Sequence, residues 1–493
     1  MSSTVRRPAS PHPSAATRRP GAPARPRRRL HLRTVPARIR ALTAVVLVAV
    51  AALFGTASWA IGNARTGLEV IGHDAGPQVM VTGDLFFALS DMDAQVATVL
   101  LLGRDHRLGR GRAAALERYE QRRSEANRAL LQAAQLAGDD PIERRTVQAV
   151  LDGLGRYERL AGQAMQLDQE PQYAHPAGRP SPRVLELYRQ AGELMKLELL
   201  PQAYNLTLES GSIVRKTYES KHWSVRAGRV GVLAAGLAVV AALLVLQWYL
   251  ARRFRRLLNP ALVLATLGVL AVTLPAAGLL DSLAGRLQSA KRDGFDSVLA
   301  LSRARAISNS AYADESRYLL DPARADTYEQ VYFDKSQAIL YLDAERTKSL
   351  TDYHAGVGPA VERFVTGGRA QVDFLGFFGD QARRAEPGTS RARALAEVLT
   401  GYRAFQEGDR RLRELVAAGR PAEALAQHLQ ADAFERYDAA LVRLAEQHRT
   451  AFTGAIADGD RRLRGWHVAL PGACAVIAVL VLLGVRPRLA EYR

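Results

Sequence analysis

Two apolar runs lie back to back between Ala227 and Gly278. The chain there reads AGRVGVLAAGLAVVAALLVLQWYL, then ARRFRRLLNP, then ALVLATLGVLAVTLPAAG. A helix rises about 1.5 Å per residue, so about 20 apolar residues cross the hydrocarbon of a bilayer, and both runs reach that length. The pattern predicts a membrane hairpin, with spans over 227–250 and 260–280 and a loop over 251–259. Arginine is retained on the cytoplasmic side, so Arg252, Arg253, Arg255 and Arg256 place the loop inside the cell. Both flanking segments are then sent outward.

Two more runs complete the count. Residues 41–62, ALTAVVLVAVAALFGTASWAIG, predict a first span whose basic flank keeps its N-terminus in the cytoplasm. Ser58-Trp59-Ala60 loosely resembles a signal-peptide cleavage site, but Trp59 and the length of the run favour an uncleaved anchor. Residues 466–485, followed by Arg486 and Arg488, predict a fourth span that returns the chain inside. The reading is a multi-pass protein of the cell membrane with both termini cytoplasmic. Residues 1–40 form an Arg/Pro-rich tail with almost no large apolar side chain, too poor in burial to offset ordering entropy, and read as disordered.

The net charge of +18 suggests nucleic acid until it is located. Residues 1–40 hold eleven arginines and no acid, and the hairpin loop and the 486–493 tail supply most of the remainder. Basic segments beside a membrane serve topology and anionic headgroups, so no nucleic-acid partner is expected and the lipid bilayer is. The single cysteine, Cys474, lies in the fourth span and excludes an internal disulfide. Hydrophobic residues make up 48% of the chain and aromatics only 7%, a balance that suits Ala- and Leu-rich helices. The fold class expected is all-α.

Between the spans, residues 63–226 and 281–465 read as two extracytoplasmic helical bundles in tandem. In the first, Leu116, Tyr119, Ala126, Leu130, Ala133 and Ala137 recur at steps of three and four, with Arg123 interrupting the seam. Gly138-Asp139-Asp140-Pro141 stops one helix and starts the next, with Asp140 as N-cap; Ser181-Pro182 repeats the device. Four helices follow, at about 63–103, 110–137, 141–168 and 182–226, the outer two continuous with their spans and the last kinked by Pro201. In the second bundle the seam is Phe434, Tyr437, Leu441, Leu444, His448 and Ala451, and Gly419-Arg420-Pro421 marks a boundary. Residues 353–388 read as less regular. Asn259-Pro260 should cap the third span, and Pro275 and Pro471 should kink the third and fourth.

The halves look like copies. Leu100-Leu101-Leu102 precedes Tyr119-Glu120-Gln121, and Leu319-Leu320 precedes Tyr328-Glu329-Gln330, in each case a helix end followed by a second helix near the YEQ. Span, bundle, span resembles the four-helix-bundle sensory modules of bacterial chemoreceptors. SNSAYADESRYLLDPARADTYEQVYFDKSQ is similar to their first-to-second helix junction, and AGDDPIERRTVQAVLDGLGRYERLAGQA with YRQAGELMKLELLPQA to the helices that follow. The doubled four-span form resembles the actinobacterial GlnX-type membrane signalling protein. That resemblance implies an extracellular solute-binding lipoprotein that takes an amino acid on one side and a cytoplasmic Ser/Thr kinase on the other. The long cytoplasmic coil of ordinary chemoreceptors is missing.

The sequence offers no enzyme. Its ten histidines include no HExxH and no i, i+4 pair, and neither GxxxxGK[ST] nor GxSxG occurs. No catalytic, cofactor-binding or metal residue is singled out, and individual binding residues cannot be named. His448 reads as a packing residue, Asp139 and Asp140 as capping residues, and Asn205-Leu206-Thr207 as a sequon made coincidental by its helix. The spans hold essentially no ionisable residue at depth, which argues against transport. Gly231 and Gly236 allow close helix approach, within the chain or in a homo-oligomer. The short cytoplasmic segments cannot fold into a catalytic domain. The expectation is a non-enzymatic receptor or signalling adaptor that senses an extracellular nutrient, with docking at the membrane-distal turns near 138–140 and 169–181. A structural scaffold for envelope proteins is the alternative.

Overall fold

A computed structural model describes residues 35–103, 111–137, 141–173, 176–254 and 259–490. The described residues form helices and turns, with one isolated antiparallel bridge between Tyr341 and Leu375. Residues 1–34 of the Arg-rich tail, Asp139 and Asp140, and loop residues Arg255 and Arg256 lie outside the described residues, whereas 35–40, read as part of the disordered tail, are helical and begin the first helix.

Four helical stretches are long and apolar enough to cross a membrane: Val35–Leu102, Pro182–Arg252, Pro260–Leu320 and Pro421–Pro487. The first is α1 (Val35–Glu69), a π-turn (Val70–Asp74) and α2 (Ala75–Leu102). Next come α3 (Gly111–Leu136) and α4 (Pro141–Leu167). The chain then returns through α5 (Pro182–Leu194), a π-turn (Met195–Leu199) and α6 (Leu200–Phe254). The second half begins alike, with α7 (Pro260–Ser289), a π-turn (Ala290–Phe295) and α8 (Asp296–Leu320). It continues through α9 (Ala325–Ile339), α10 (Leu350–Gly367), α11 (Gly376–Arg384), α12 (Ser390–Ala417), α13 (Pro421–Gln430), α14 (Ala433–Leu463) and α15 (Trp466–Ala490).

Local chemistry accounts for the boundaries. Val184 N–H donates to Ser181 Oγ at 3.2 Å ahead of α5, and Ala261 N–H donates to Asn259 Oδ1 at 3.2 Å ahead of α7. Each cap satisfies one of the donors a helix start leaves unpaired, with proline in the first turn where no donor is needed. Asn259 also donates to the Gly484 carbonyl at 2.7 Å, tying the start of the third span to the end of the fourth. Gly419, with φ of 73°, ends α12.

The spans close on themselves: α1 packs along α6, α6 on α7, α7 on α15 and α15 on α1. Their shared seam holds Val46, Leu53, Val232, Leu243, Val269 and Ile477, all buried, while Val45, Val48, Leu237, Leu244, Leu264 and Val476 face outward. An apolar outer face is what lipid requires and water forbids. A Cβ on Gly236 would lie 2.4 Å from the Thr273 methyl, so this glycine permits the approach of α6 to α7. Gly231 has nothing within 4 Å of its Cβ position and plays no such part; Gly228, which a Cβ would bring within 2.4 Å of Ala60, does.

A π-turn lies immediately before Pro201 and absorbs its missing donor, a usual setting for such bulges, and α6 continues beyond it. α7 and α15 likewise continue through Pro275 and Pro471. Other expectations are corrected. The seam of α3 is not interrupted by Arg123, which is exposed; Arg122 turns inward, and Ala115 rather than Leu116 is the buried position. Residues 353–388 are largely helical, with a Ser349–Asp352 capping box starting α10. Tyr119 lies well inside α3 and Tyr328 in the first turn of α9, so the second half matches the first only as far as its first helix. Finally, α14 breaks from α15 at Arg464-Gly465, where Gly465 takes a φ of 89°.

These contacts set a paired test. Gly228→Ala must push α1 from α6 and should cost about 1–3 kcal/mol, as overpacked sites do. Gly231→Ala, three residues along the same helix, should leave stability unchanged within about 0.5 kcal/mol or raise it slightly. Thermal unfolding in nanodiscs checks both.

Candidate functional site: the interface between the two halves

The extramembrane halves are not separate. α2 packs along α8, and the core of the first half admits Leu319, Leu320, Leu412, Ala424 and Leu425 from the second. The second half keeps its own aromatic core, with Tyr332, Tyr353, Phe378, Tyr402, Phe405 and Tyr437 buried.

A charged cluster occupies the middle of this interface. Arg317 of α8 pairs with Asp93 of α2 and with Asp314 one turn back, and its Nε donates to Tyr188 Oη at 3.0 Å. Tyr157 donates to Asp93 at 3.3 Å. Asp314 also accepts from Lys196 at 3.1 Å and pairs with Lys335, whose Nζ reaches Ser310 Oγ at 2.7 Å. Arg317, Asp93 and Asp314 are all nearly inaccessible to solvent. Burial alone would drive the Asp314 carboxyl upward, but Lys335, Lys196 and Arg317 hold it well below the usual carboxylate range. Burial brings Lys335 down to about 8 against the pull of Asp314. Burial also lowers Lys196.

Further pairs cross between the halves. Arg189 of α5 grips Asp321 with two bonds of 2.9 and 2.8 Å, and Tyr328 donates to the same carboxylate at 3.3 Å. Arg305 of α8 lies 3.7 Å from the centre of the Phe87 ring on α2. At the edge, Arg118 of α3 bonds Glu435 of α14 at 3.1 Å across a groove of about 420 Å³ lined by Gln95, Thr98, Tyr312 and Asp432. A guanidinium and carboxylates in one cleft of that size suit a small polar solute.

A second polar group lies behind Tyr312. His428 stacks on Tyr312 at 4.8 Å, faces Glu315 at 3.2 Å and meets Ser316 Oγ at 2.9 Å. Asp409 accepts from Arg413 at 2.8 Å and faces His354 at 3.1 Å. Burial, then the nearby Asp409 charge, pushes the Glu315 carboxyl well up, while Asp409 is held down despite burial, mainly by Arg413. Burial lowers His428 to about 4.

Of the residues the sequence singles out, His448 is buried and its Nδ1 donates to the Asp293 carbonyl at 2.5 Å, a packing and bonding role. Asn205 lies within α6 with Thr207 buried. Of the distal segment, Gly178 N–H donates to the Leu101 carbonyl at 2.8 Å, and just before it Asp168 accepts from Arg112 at 2.6 Å, which also reaches the Val99 and Gly103 carbonyls at 3.1 Å. Gly138 to Asp140 lie outside the described residues. Among the described residues, no group of three or more His, Cys, Asp or Glu is placed to hold a metal ion. Sequence reasoning passed over Arg317, Asp93, Asp314 and Arg112. The clearest signal was the run ADESRYLL, where charges sit beside apolar residues on a stretch of helix in which all but Tyr318 are buried.

Removing one member of the cluster strands the others. Arg317→Met should cost about 3–5 kcal/mol, and Asp93→Asn in that background should cost less than it does alone, measured by thermal unfolding of single and double variants. A pH test follows from His428. Its folded pKa is depressed, so below about 6.5 the unfolded chain takes a proton that the folded chain refuses. Stability should fall as pH drops from about 6.5 toward about 4, and His428→Gln should flatten that part of the melting-temperature profile.

No curated protein and no solved structure matches the chain. Residues 67–219, from the last turn of α1 into the extramembrane part of α6, match the actinobacterial sensor domain, which makes this segment similar to an actinobacterial sensor and points to a sensory or signalling role.

Proposed function

We propose that the protein is a non-enzymatic membrane sensor, with residues 63–226 and 281–465 outside the cell and the signal carried inward by the helices themselves. One observation carries this reading. The segment resembling a sensor domain begins on a helix that is continuous with the first span and ends on a helix that is continuous with the second. A helix cannot slide or turn in one part without moving the part continuous with it. Packed interfaces switch between discrete arrangements rather than deforming smoothly, so a small shift at the α2–α8 interface can reach the other face of the membrane.

The orientation rests on the arginines at the end of α6, where Arg252 lies 5.3 Å from the Trp248 ring at the edge of the span. The groove between Arg118 and Glu435 is the entry point we favour for a polar solute or for the solute-loaded protein that delivers it. An amino acid as the nutrient, a solute-binding lipoprotein outside and a Ser/Thr kinase inside extend this reading on the strength of the resemblance to the GlnX-type protein.

Cross-linking tests it. A Cβ on Gly67 would stand 3.3 Å from the Lys221 Cβ, close to disulfide geometry between the outgoing and returning helices. With Cys474→Ala to remove the native thiol, Gly67→Cys and Lys221→Cys in cells given single amino acids should form the disulfide at rates that differ by about five-fold or more between at least one amino acid and none. An unchanged rate across all amino acids would favour a constitutive scaffold.

A further inference from the structure

A cleft of about 590 Å³ opens between the first and fourth spans, just where both leave their apolar stretch on the side of the extramembrane body. Its deeper wall is apolar: Phe54 and Ile61 of α1 face Leu470 of α15. Its rim carries two cations, Arg65 one turn beyond the end of the first apolar run and Arg464 at the break before α15, with the polar His467 beside them. All three rim groups are exposed, and neither Arg65 nor Arg464 has an acidic partner among the described residues. The single carboxylate in the lining, Asp460, is already engaged by His73 at 3.0 Å. Trp466 lines the same cleft at the depth where indoles settle between headgroups and hydrocarbon.

We propose that this cleft is a binding site for one anionic phospholipid of the adjoining leaflet. One acyl chain would lie against Phe54, Ile61 and Leu470, and the phosphate would be met by Arg65 and Arg464. Three features select this occupant. The cleft opens at the bilayer surface, where lipid is the abundant solute. Its wall changes from apolar to cationic in the direction in which a lipid changes from chain to phosphate. Its two arginines have no carboxylate partner among the described residues, and planar guanidinium groups fit phosphate oxygens in pairs. The break at Gly465 forms one wall of the site, so a lipid seated there bridges the first span and the one span that is not helically continuous with the body.

Trp466 supplies the test. Trp59, Trp223 and Trp248 are replaced by Phe in the full chain, and Trp466 fluorescence is followed in nanodiscs containing brominated phosphatidylglycerol or brominated phosphatidylcholine. Anionic lipid should quench at a mole fraction lower by about five-fold for each arginine engaged. R65Q/R464Q should bring the two lipids level, and Gly62→Phe, which points a ring into open space at the cleft, should weaken quenching by both. Native mass spectrometry of the otherwise unsubstituted chain, from nanodiscs of mixed phosphatidylglycerol and phosphatidylcholine, should show retained phosphatidylglycerol that R65Q/R464Q loses. Equal quenching by both lipids, or a preference that survives R65Q/R464Q, would overturn the proposal. So would relief of quenching by inorganic phosphate alone, which would assign the arginines to a soluble anion.

Discussion

The contact between Arg317 and Asp93 ties the molecule together. Each is buried, and each belongs to a different half of the chain, so neither can be dehydrated at tolerable cost unless the other half is in place. A buried guanidinium needs carboxylates around it, and Asp93 and Asp314 supply them from two helices at once. Lys196 and Lys335 then offset the second acid from yet another pair of elements. The result specifies one register of α2 against α8, because a shift of either helix would part Arg317 from Asp93 and leave buried charges unpaired. Apolar packing alone, with leucines and alanines on both faces, would tolerate several registers.

From this interface the helices lead to the membrane by different routes. α2 and α8 each pass through a π-turn before becoming α1 and α7, and Phe452 of α14 reaches both turns: a Cβ on Gly76 would lie 3.1 Å from its ring, and one on Gly294 would lie 2.7 Å from its Cβ. Ile456 packs beside Gly72 in the same way. The two incoming helices are thus clamped at matching heights by a single helix of the second half. α6 is continuous with its span, whereas α14 hands over to α15 through Gly465. Three spans are joined to the body by helix and the fourth by a turn, an asymmetry that equivalent copies would not have.

Much of this was legible in the sequence for identifiable reasons. Membrane spans are long and unbroken, and the cap at Asn259 and the cap at Ser181 are signals read within four residues. The seam of α14 holds from Tyr437 through Leu441 and Leu444 to His448, whereas Phe434 and Ala451 at its ends are only part-buried and Phe452 takes the place of Ala451. What the sequence obscures is long-range. Nothing local says that α2 and α8 become neighbours, so nothing in the sequence singles out Asp93 or Arg317. The choice between Arg122 and Arg123 depends on Asp91, 31 residues away, which accepts from Arg122 at 2.5 Å. The stretch from Tyr353 to Gly388 reads as less regular because its glycines are counted locally. The bridge from Tyr341 to Leu375 that organises it spans α10 entirely. The cleft beside Arg65 and Arg464 is invisible for the same reason, since it exists only once the first span meets the fourth.

The central claim is that the two halves form one cooperative body through α2 and α8. Amide hydrogen exchange of the intact protein in nanodiscs measures this most directly. If the claim holds, the buried amides of α2 and α8 will share one opening free energy and one dependence on denaturant, as members of a single unfolding unit. Independent exchange of α8 while α2 stays protected would contradict it.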